Sequence, residues 1–276
     1  MRERRRALGL IALLLLILIS GLAIAALHLH KNSDALWQIV SEKCEPNQRA
    51  TGSPAPCQRV ALDQGYALLK DLNGPLQYLL IPLAKITGME SPALLDPATP
   101  NFFAFAWQSR AQLAARRGAP IADSALSLAI NAQYGRTQNQ LHIHISCLRP
   151  DVRRTLNSLA PVLSRRWQTE RLRQHDYRIR ALTLPELTQQ SLFIRVANEI
   201  PDARSEMGKY GLALAALPDG RLALMALERN WLLLNRGSAE ELQDHSCEIL
   251  RKKKRRPAGR LFYLADITLF SLLPQL

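Results

Sequence analysis

No aspartate or glutamate stands between Asn131 and Arg149, the stretch that contains the histidine pair His142 and His144. Metal centres usually add carboxylates or a third imidazole to such a pair, and none follows until Asp151, so the local sequence does not supply a metal site. Phosphate-loop spacing is missing too. Met207 to Gly211 has small residues and a lysine without the required intervals, and reads as a turn entering a strand. Acidic residues are outnumbered, 23 against 36 Lys and Arg, for a net charge of +13. Much of that excess sits at the ends, in Arg2 to Arg6 and Arg251 to Arg256, so it does not argue for nucleic acid as a partner. Such runs fit solvated tails, or anionic lipid head groups at ~1 kcal/mol per residue.

Cysteine is sparse, with four in the chain. Cys44 and Cys57 flank a polar loop rich in Pro, Gly and Ser that a disulfide could staple, which would leave Cys147 with Cys247; three pairings are open on sequence alone. Four cysteines suit an exported domain. Charge is absent from the run Ala7 to Leu27, which at 1.5 Å per residue spans roughly 30 Å. With arginines before it and none directly after, it reads as a single transmembrane anchor with a cytoplasmic amino terminus. The rest of the chain would then lie outside the cytoplasm, which in a bacterium is the periplasmic side of the inner membrane. A cleaved signal peptide is the alternative, with Ala23-Ile24-Ala25 as its small-residue site, but the apolar core exceeds the roughly 7–15 residues usual for one.

The chemistry concentrates in His142-Ile143-His144-Ile145-Ser146. On a strand these three polar side chains share one face, and Cys147 points to the other. Two imidazoles side by side can provide a nucleophile and a partner, or two metal ligands. The rest of the sequence predicts a short helix over Asp34–Ser41, then a meander of strands at Arg59–Leu62, Tyr66–Lys70 and Leu76–Ile81. A helix follows over Asn101–Arg117, then a hairpin from Ser124–Ile130 to the histidine strand, and a helix near Val152–Trp167. Strands are expected at Tyr177–Ala181, Ser191–Val196, Gly211–Ala216 and Leu222–Leu227, and a short helix at Ala239–Gln243. His245, beside Cys247, reads as structural. The fold class is α+β, antiparallel sheets with flanking helices. It divides into a basic amino terminus at 1–6, an anchor at 7–27, a catalytic half at 28–170, a second α+β half at 171–250 and a basic, apolar tail at 251–276.

The alternation of histidines with apolar residues, Gln138 four residues before the first histidine and Asn131 eleven before it resemble the signature of the histidine triad superfamily. The match is closest to its membrane-anchored CDP-diacylglycerol pyrophosphatase family, over roughly Leu36 to Arg251. Leu76 to Pro82 is similar to the strand that precedes the nucleotide site there. Ser146 replaces the third histidine of the triad, Gln77 a histidine often found in the upstream strand, and the tail from Lys252 departs from the family pattern.

The resemblance implies hydrolysis of CDP-diacylglycerol to CMP and phosphatidate through a nucleotidyl-histidine, without cofactor or metal, by a chain that works alone or as a homodimer. His144 would be the nucleophile and His142 its orienting partner, with Ser146 a hydroxyl donor. Asn131, Gln138, Asn139 and Gln77 would bind substrate. A metal-dependent phosphohydrolase using His142 and His144, and a non-catalytic nucleotide-binding module on a membrane, are the alternatives.

Overall fold

A computed structural model describes the backbone of residues 2–31 and 33–251, and the side chains of residues 9–24 and 33–251. The tail expected at 252–276, with its apolar stretch Leu261 to Leu273, lies outside the described residues. The chain begins with α1 (Arg2–Lys31), α2 (Ala35–Ile39), a π-helical turn at Val40–Cys44, and α3 (Glu45–Thr51). Strands β1 (Arg59–Ala61), β2 (Tyr66–Lys70) and β3 (Tyr78–Pro82) follow, then α4 (Phe102–Ser109) and α5 (Ala111–Arg117). Next come β4 (Leu126–Ile130), β5 (Ile143–Cys147), α6 (Pro150–Leu159), β6 (Gln168–Leu172) and β7 (His175–Leu182). The chain continues through α7 (Leu184–Gln189), α8 (Leu192–Glu199), β8 (Tyr210–Ala216) and β9 (Leu222–Glu228).

The expected transmembrane anchor at Ala7 to Leu27 is not supported, nor is the single-pass inner-membrane placement built on it. Among the described residues no helix is long and apolar enough to cross a membrane.

The α+β class holds, with one antiparallel sheet of nine strands in the order β1-β2-β3-β5-β4-β8-β9-β7-β6. Strand β4 pairs with β8, from Ser127 opposite Ala215 to Ile130 opposite Leu212, so one sheet runs through residues from both sequence halves. One face of the sheet, including Leu68, Leu80, Ile143, Ile145 and Leu214, packs on Phe102, Phe103 and Phe193 of α4 and α8. The other face carries two separate clusters. Ala129, Ala213, Ile179 and Met225 pack under Val152 and Leu156 of α6, while Leu79, Ile81 and Ala67 pack under Val40 and the Cys44 and Cys57 pair. Burial on both faces explains why most strands read as continuous apolar runs.

Three local expectations change. Ser191–Val196 was expected as a strand but forms α8, because Leu192, Phe193, Val196 and Ala197 recur at helical intervals and all are buried. The helix expected over Asn101–Arg117 divides at Arg110, which caps both halves. The region after Cys44 is helical as far as Thr51 before the chain turns at Gly52.

Cys44 is bonded to Cys57 and Cys147 to Cys247. The second bridge spans a sequence separation of 100 residues and ties the Asp244–Cys247 segment to the end of β5. Constraining so long a loop restricts the unfolded chain strongly. Cys147→Ala/Cys247→Ala is therefore expected to lose ~2–5 kcal/mol in urea unfolding, with reduced turnover, since His245 travels on that segment. Unchanged stability and turnover would show that backbone contacts alone hold it.

Candidate active site

His144 lies where the two clusters on its face of the sheet leave a gap. Its cross-strand partners are Leu79 on β3 and Ala129 on β4. His142 stands just before β5, and the two rings meet edge to face with centroids 4.9 Å apart. Both histidines are buried and line a cavity of about 590 Å³. Its apolar lining comes from Ala35, Leu36, Ile39, Leu69 and Leu79. The lining also includes polar side chains, among them Asn131, Arg136, Gln138 and Glu240.

The two imidazoles are held differently. Nδ1 of His142 lies 2.7 Å from the Gln140 carbonyl, which can only accept, so this nitrogen carries the proton and Nε2 keeps its lone pair. Burial and the adjacent His144 lower the His142 pKa to about 4, against the pull of the Gln140 carbonyl and Glu240. His142 is neutral at pH 7. Nδ1 of His144 accepts from Gln77 Nε2 at 2.9 Å, and Glu240 Oε1 lies 3.3 Å from the same nitrogen. Gln77 also donates to Asp71 Oδ2 at 2.8 Å, which sets the orientation of its amide. Nε2 of His144 is buried and has no hydrogen-bond partner among the described residues. Burial lowers the His144 pKa and His245 adds to that, while Glu240 opposes both.

Glu240 is the hub. Its carboxylate accepts from Asn131 Nδ2 at 3.0 Å and contacts His245 Nε2 at 2.9 Å, while Asn131 Oδ1 accepts from the Glu240 backbone N–H at 3.1 Å. Burial would raise its pKa, but the bond to His245, the nearby His144 and the Asn131 amide outweigh burial and hold it at about 2. It is ionised throughout the physiological range. On its other side His245 Nδ1 lies 3.1 Å from Ser146 Oγ. Ser146, in place of a third histidine, thus touches an imidazole that arrives from another part of the chain.

The structure brings most of the residues singled out in sequence to one place. His142, His144, Asn131 and Gln138 line the cavity, Gln77 lies behind His144, and Ser146 is buried against His245. Gln138 Oε1 accepts from the Leu36 backbone N–H at 3.1 Å, holding α2 against the cavity. Asn139 does not line the cavity; its amide donates to Ser33 Oγ at 3.1 Å and ties the chain entering α2. Among the described residues no group of three or more His, Cys, Asp and Glu side chains is arranged to hold a metal ion.

Sequence reasoning missed Glu240, Asp71 and the role of His245. Glu240 sits in a short 3-10 turn about a hundred residues from the histidines, with nothing in its local pattern to mark it. His245 carried one usable signal. It lies two residues before Cys247, and the Cys147 to Cys247 bridge, with Cα atoms 5.2 Å apart, places it beside Ser146.

Two imidazoles and an ionised carboxylate gathered at the wall of a cavity lined by both polar and apolar side chains are the parts of an enzyme acting on an amphipathic substrate. The profile of the CDP-diacylglycerol pyrophosphatase family matches residues 31–251, and the chain belongs to that family. It is a hydrolase of a phosphoric anhydride bond, in phospholipid metabolism, with CDP-diacylglycerol as the family's substrate.

Proposed function

We propose that the chain hydrolyses CDP-diacylglycerol in two displacements, with Nε2 of His144 as the nucleophile. The observation that carries this reading is the buried, unpartnered Nε2 of a histidine that lines the cavity beside an ionised carboxylate. In the resting site the Gln77 amide N–H, oriented by Asp71, donates to Nδ1, so the ring proton sits on Nε2. Attack requires that proton to pass to Nδ1, where the Glu240 carboxylate 3.3 Å away holds the N–H in place of the Gln77 contact, freeing the Nε2 lone pair. That lone pair attacks the phosphorus bonded to cytidine. An N–P bond forms, the anhydride P–O bond breaks, and phosphatidate leaves with the bridging oxygen. Water then attacks the same phosphorus, the N–P bond breaks, and CMP is released with the imidazole neutral again. Splitting one hard displacement into two is the gain from a covalent route.

Glu240 compensates the positive charge that the ring acquires while it is bonded to phosphorus. Gln77 and Asp71 fix the ring plane from behind. His142, neutral and held by the Gln140 carbonyl, packs edge to face with the His144 ring and orients the phosphate. Asn131 and Gln138 offer neutral polar groups along the cavity, and Arg136, paired with Glu90 by bonds of 2.8 and 2.5 Å, brings a fixed cation to its rim. Preorganised donors of this kind act where charge shifts during phosphoryl transfer.

The test is product analysis with the purified full chain and CDP-diacylglycerol in detergent micelles. CMP and phosphatidate are expected in equal amounts. Release of CDP with diacylglycerol would place the cleavage at another bond and overturn this reading.

A further inference from the structure

Four consecutive apolar side chains project from the molecule in the loop after β9. Trp231, Leu232, Leu233 and Leu234 are exposed by 53%, 95%, 64% and 87%. The loop is not a loose excursion. Asn230 and Asn235 exchange both backbone hydrogen bonds at 2.9 Å, closing its base, and Asn230 Oδ1 accepts from the backbone N–H groups of Leu232 and Leu233 at 3.0 and 3.3 Å. Leu234 has a φ of 53°, a left-handed conformation unfavourable for leucine, so the loop holds its side chains outward against its own backbone preference.

The surroundings of the tip match a lipid interface. The Tyr134 ring meets Trp231 edge on, with centroids 5.7 Å apart, and the Arg229 guanidinium lies 4.6 Å from the Tyr134 centroid and 5.1 Å from that of Trp231. Arg236, exposed at the base, donates to the Tyr134 carbonyl at 3.0 Å. Aromatic rings with one polar end, guanidiniums and projecting leucines are the groups that partition between acyl chains and anionic head groups.

The base of the tip is joined to the cavity. Ala132 donates to the Gly237 carbonyl at 2.9 Å, and a Cβ at Gly135 would come within 3.1 Å of the Arg236 carbonyl. Gly135 and Arg136 line the cavity that holds His142 and His144. We infer that the Trp231–Leu234 tip docks on the surface of a bilayer containing anionic lipid and holds the cavity mouth at that surface, where a lipid substrate resides. The inference rests on the lipid nature of the substrate, and not on which nitrogen attacks phosphorus.

The experiment uses the full chain and vesicles of phosphatidylcholine and phosphatidylglycerol with brominated acyl chains. Quenching of tryptophan emission is expected, with a component that Trp231→Phe removes. In parallel, Leu232→Glu/Leu234→Glu is expected to raise the KM for CDP-diacylglycerol embedded in vesicles by roughly tenfold or more, with turnover of detergent-solubilised substrate unchanged. The exposure of both leucines means the fold does not depend on them, which an unchanged Tm would verify. Equal quenching in wild type and Trp231→Phe, together with unchanged vesicle kinetics, overturns the inference. Self-association of the wild type that the leucine variant abolishes, with vesicle kinetics unchanged, also overturns it and assigns the tip to a second copy. No turnover by wild type in detergent counts against the proposed reaction, while the quenching arm still decides the docking.

Discussion

His144→Ala is expected to lower the turnover of CDP-diacylglycerol by on the order of 10⁴-fold, about 5.4 kcal/mol of transition-state stabilisation. Removing a nucleophile abolishes the route it opens and leaves only the assistance that binding gives to water. The substitution should leave the fold intact. His144 Nε2 contributes no hydrogen bond to the native state, and truncation leaves Glu240 with His245 and Asn131 as partners. KM is expected to change little, so the loss falls on kcat. Circular dichroism and urea unfolding check the fold, and steady-state assays separate the two constants. His142→Ala should act more mildly, because in the proposed route this ring positions the reactants and forms no bond.

Glu240→Gln is expected to reduce kcat by roughly 10²-fold, the scale of removing one preorganised electrostatic group. It also carries a signature in pH. In the wild type the carboxylate raises the His144 pKa, opposing burial, which lowers it. Deleting the charge leaves burial and His245 unopposed, so His144 must lose more of its affinity for a proton. The acid limb of the kcat/KM profile reports protonation of the nucleophile and is expected to move to lower pH in the variant. In the wild type that limb should already lie below 6.5, the ordinary pKa of histidine. Glu240, with a pKa of about 2, stays ionised across it. A purely structural role for Glu240 would lower stability without moving the limb. Full kcat in Glu240→Gln would remove the carboxylate from the mechanism.

Stability should respond to acid with the same sign. His142 has a folded pKa of about 4, below its ordinary 6.5, so the folded state binds fewer protons than the unfolded chain between those values. The contribution is complete above about 6.5 and is lost as the pH falls toward 4.

Strands with strong alternation or clear turn punctuation were legible in the sequence. Tyr66–Lys70 agrees residue for residue with β2, and Leu222–Leu227 falls within β9. Ser191–Val196 misled because a short apolar run fits either period, and the burial of Val196 and the packing of Phe193 on Phe103 of α4 decided for a helix. β6 went unnoticed since Gln168–Leu172 is largely polar at the sheet edge. At the candidate site the histidine strand announced itself, because alternation on one strand is local information. Glu240 and His245 could not, since their neighbourhood is created by tertiary folding and a disulfide. The scarcity of carboxylates near the motif therefore described the sequence and not the site, which obtains its carboxylate from a hundred residues downstream.

The tip at Trp231–Leu234 shows the reverse case. Its residues suit a core strand by composition, yet the paired Asn230 and Asn235 turn them outward. Only the structure separates a buried apolar run from a displayed one.

The central claim, a covalent bond between His144 and the cytidine-bearing phosphorus, is tested most directly by quenching the reaction in its first turnover and mapping peptides by mass spectrometry under conditions that preserve phosphoramidate. The account predicts a cytidylyl group on the peptide containing His142 and His144, located at His144 by fragmentation. It should be lost on further incubation as CMP appears, and be absent from His144→Ala. Full turnover with no adduct at any time, and CMP formed with inversion at phosphorus, would contradict it and assign the attack directly to water.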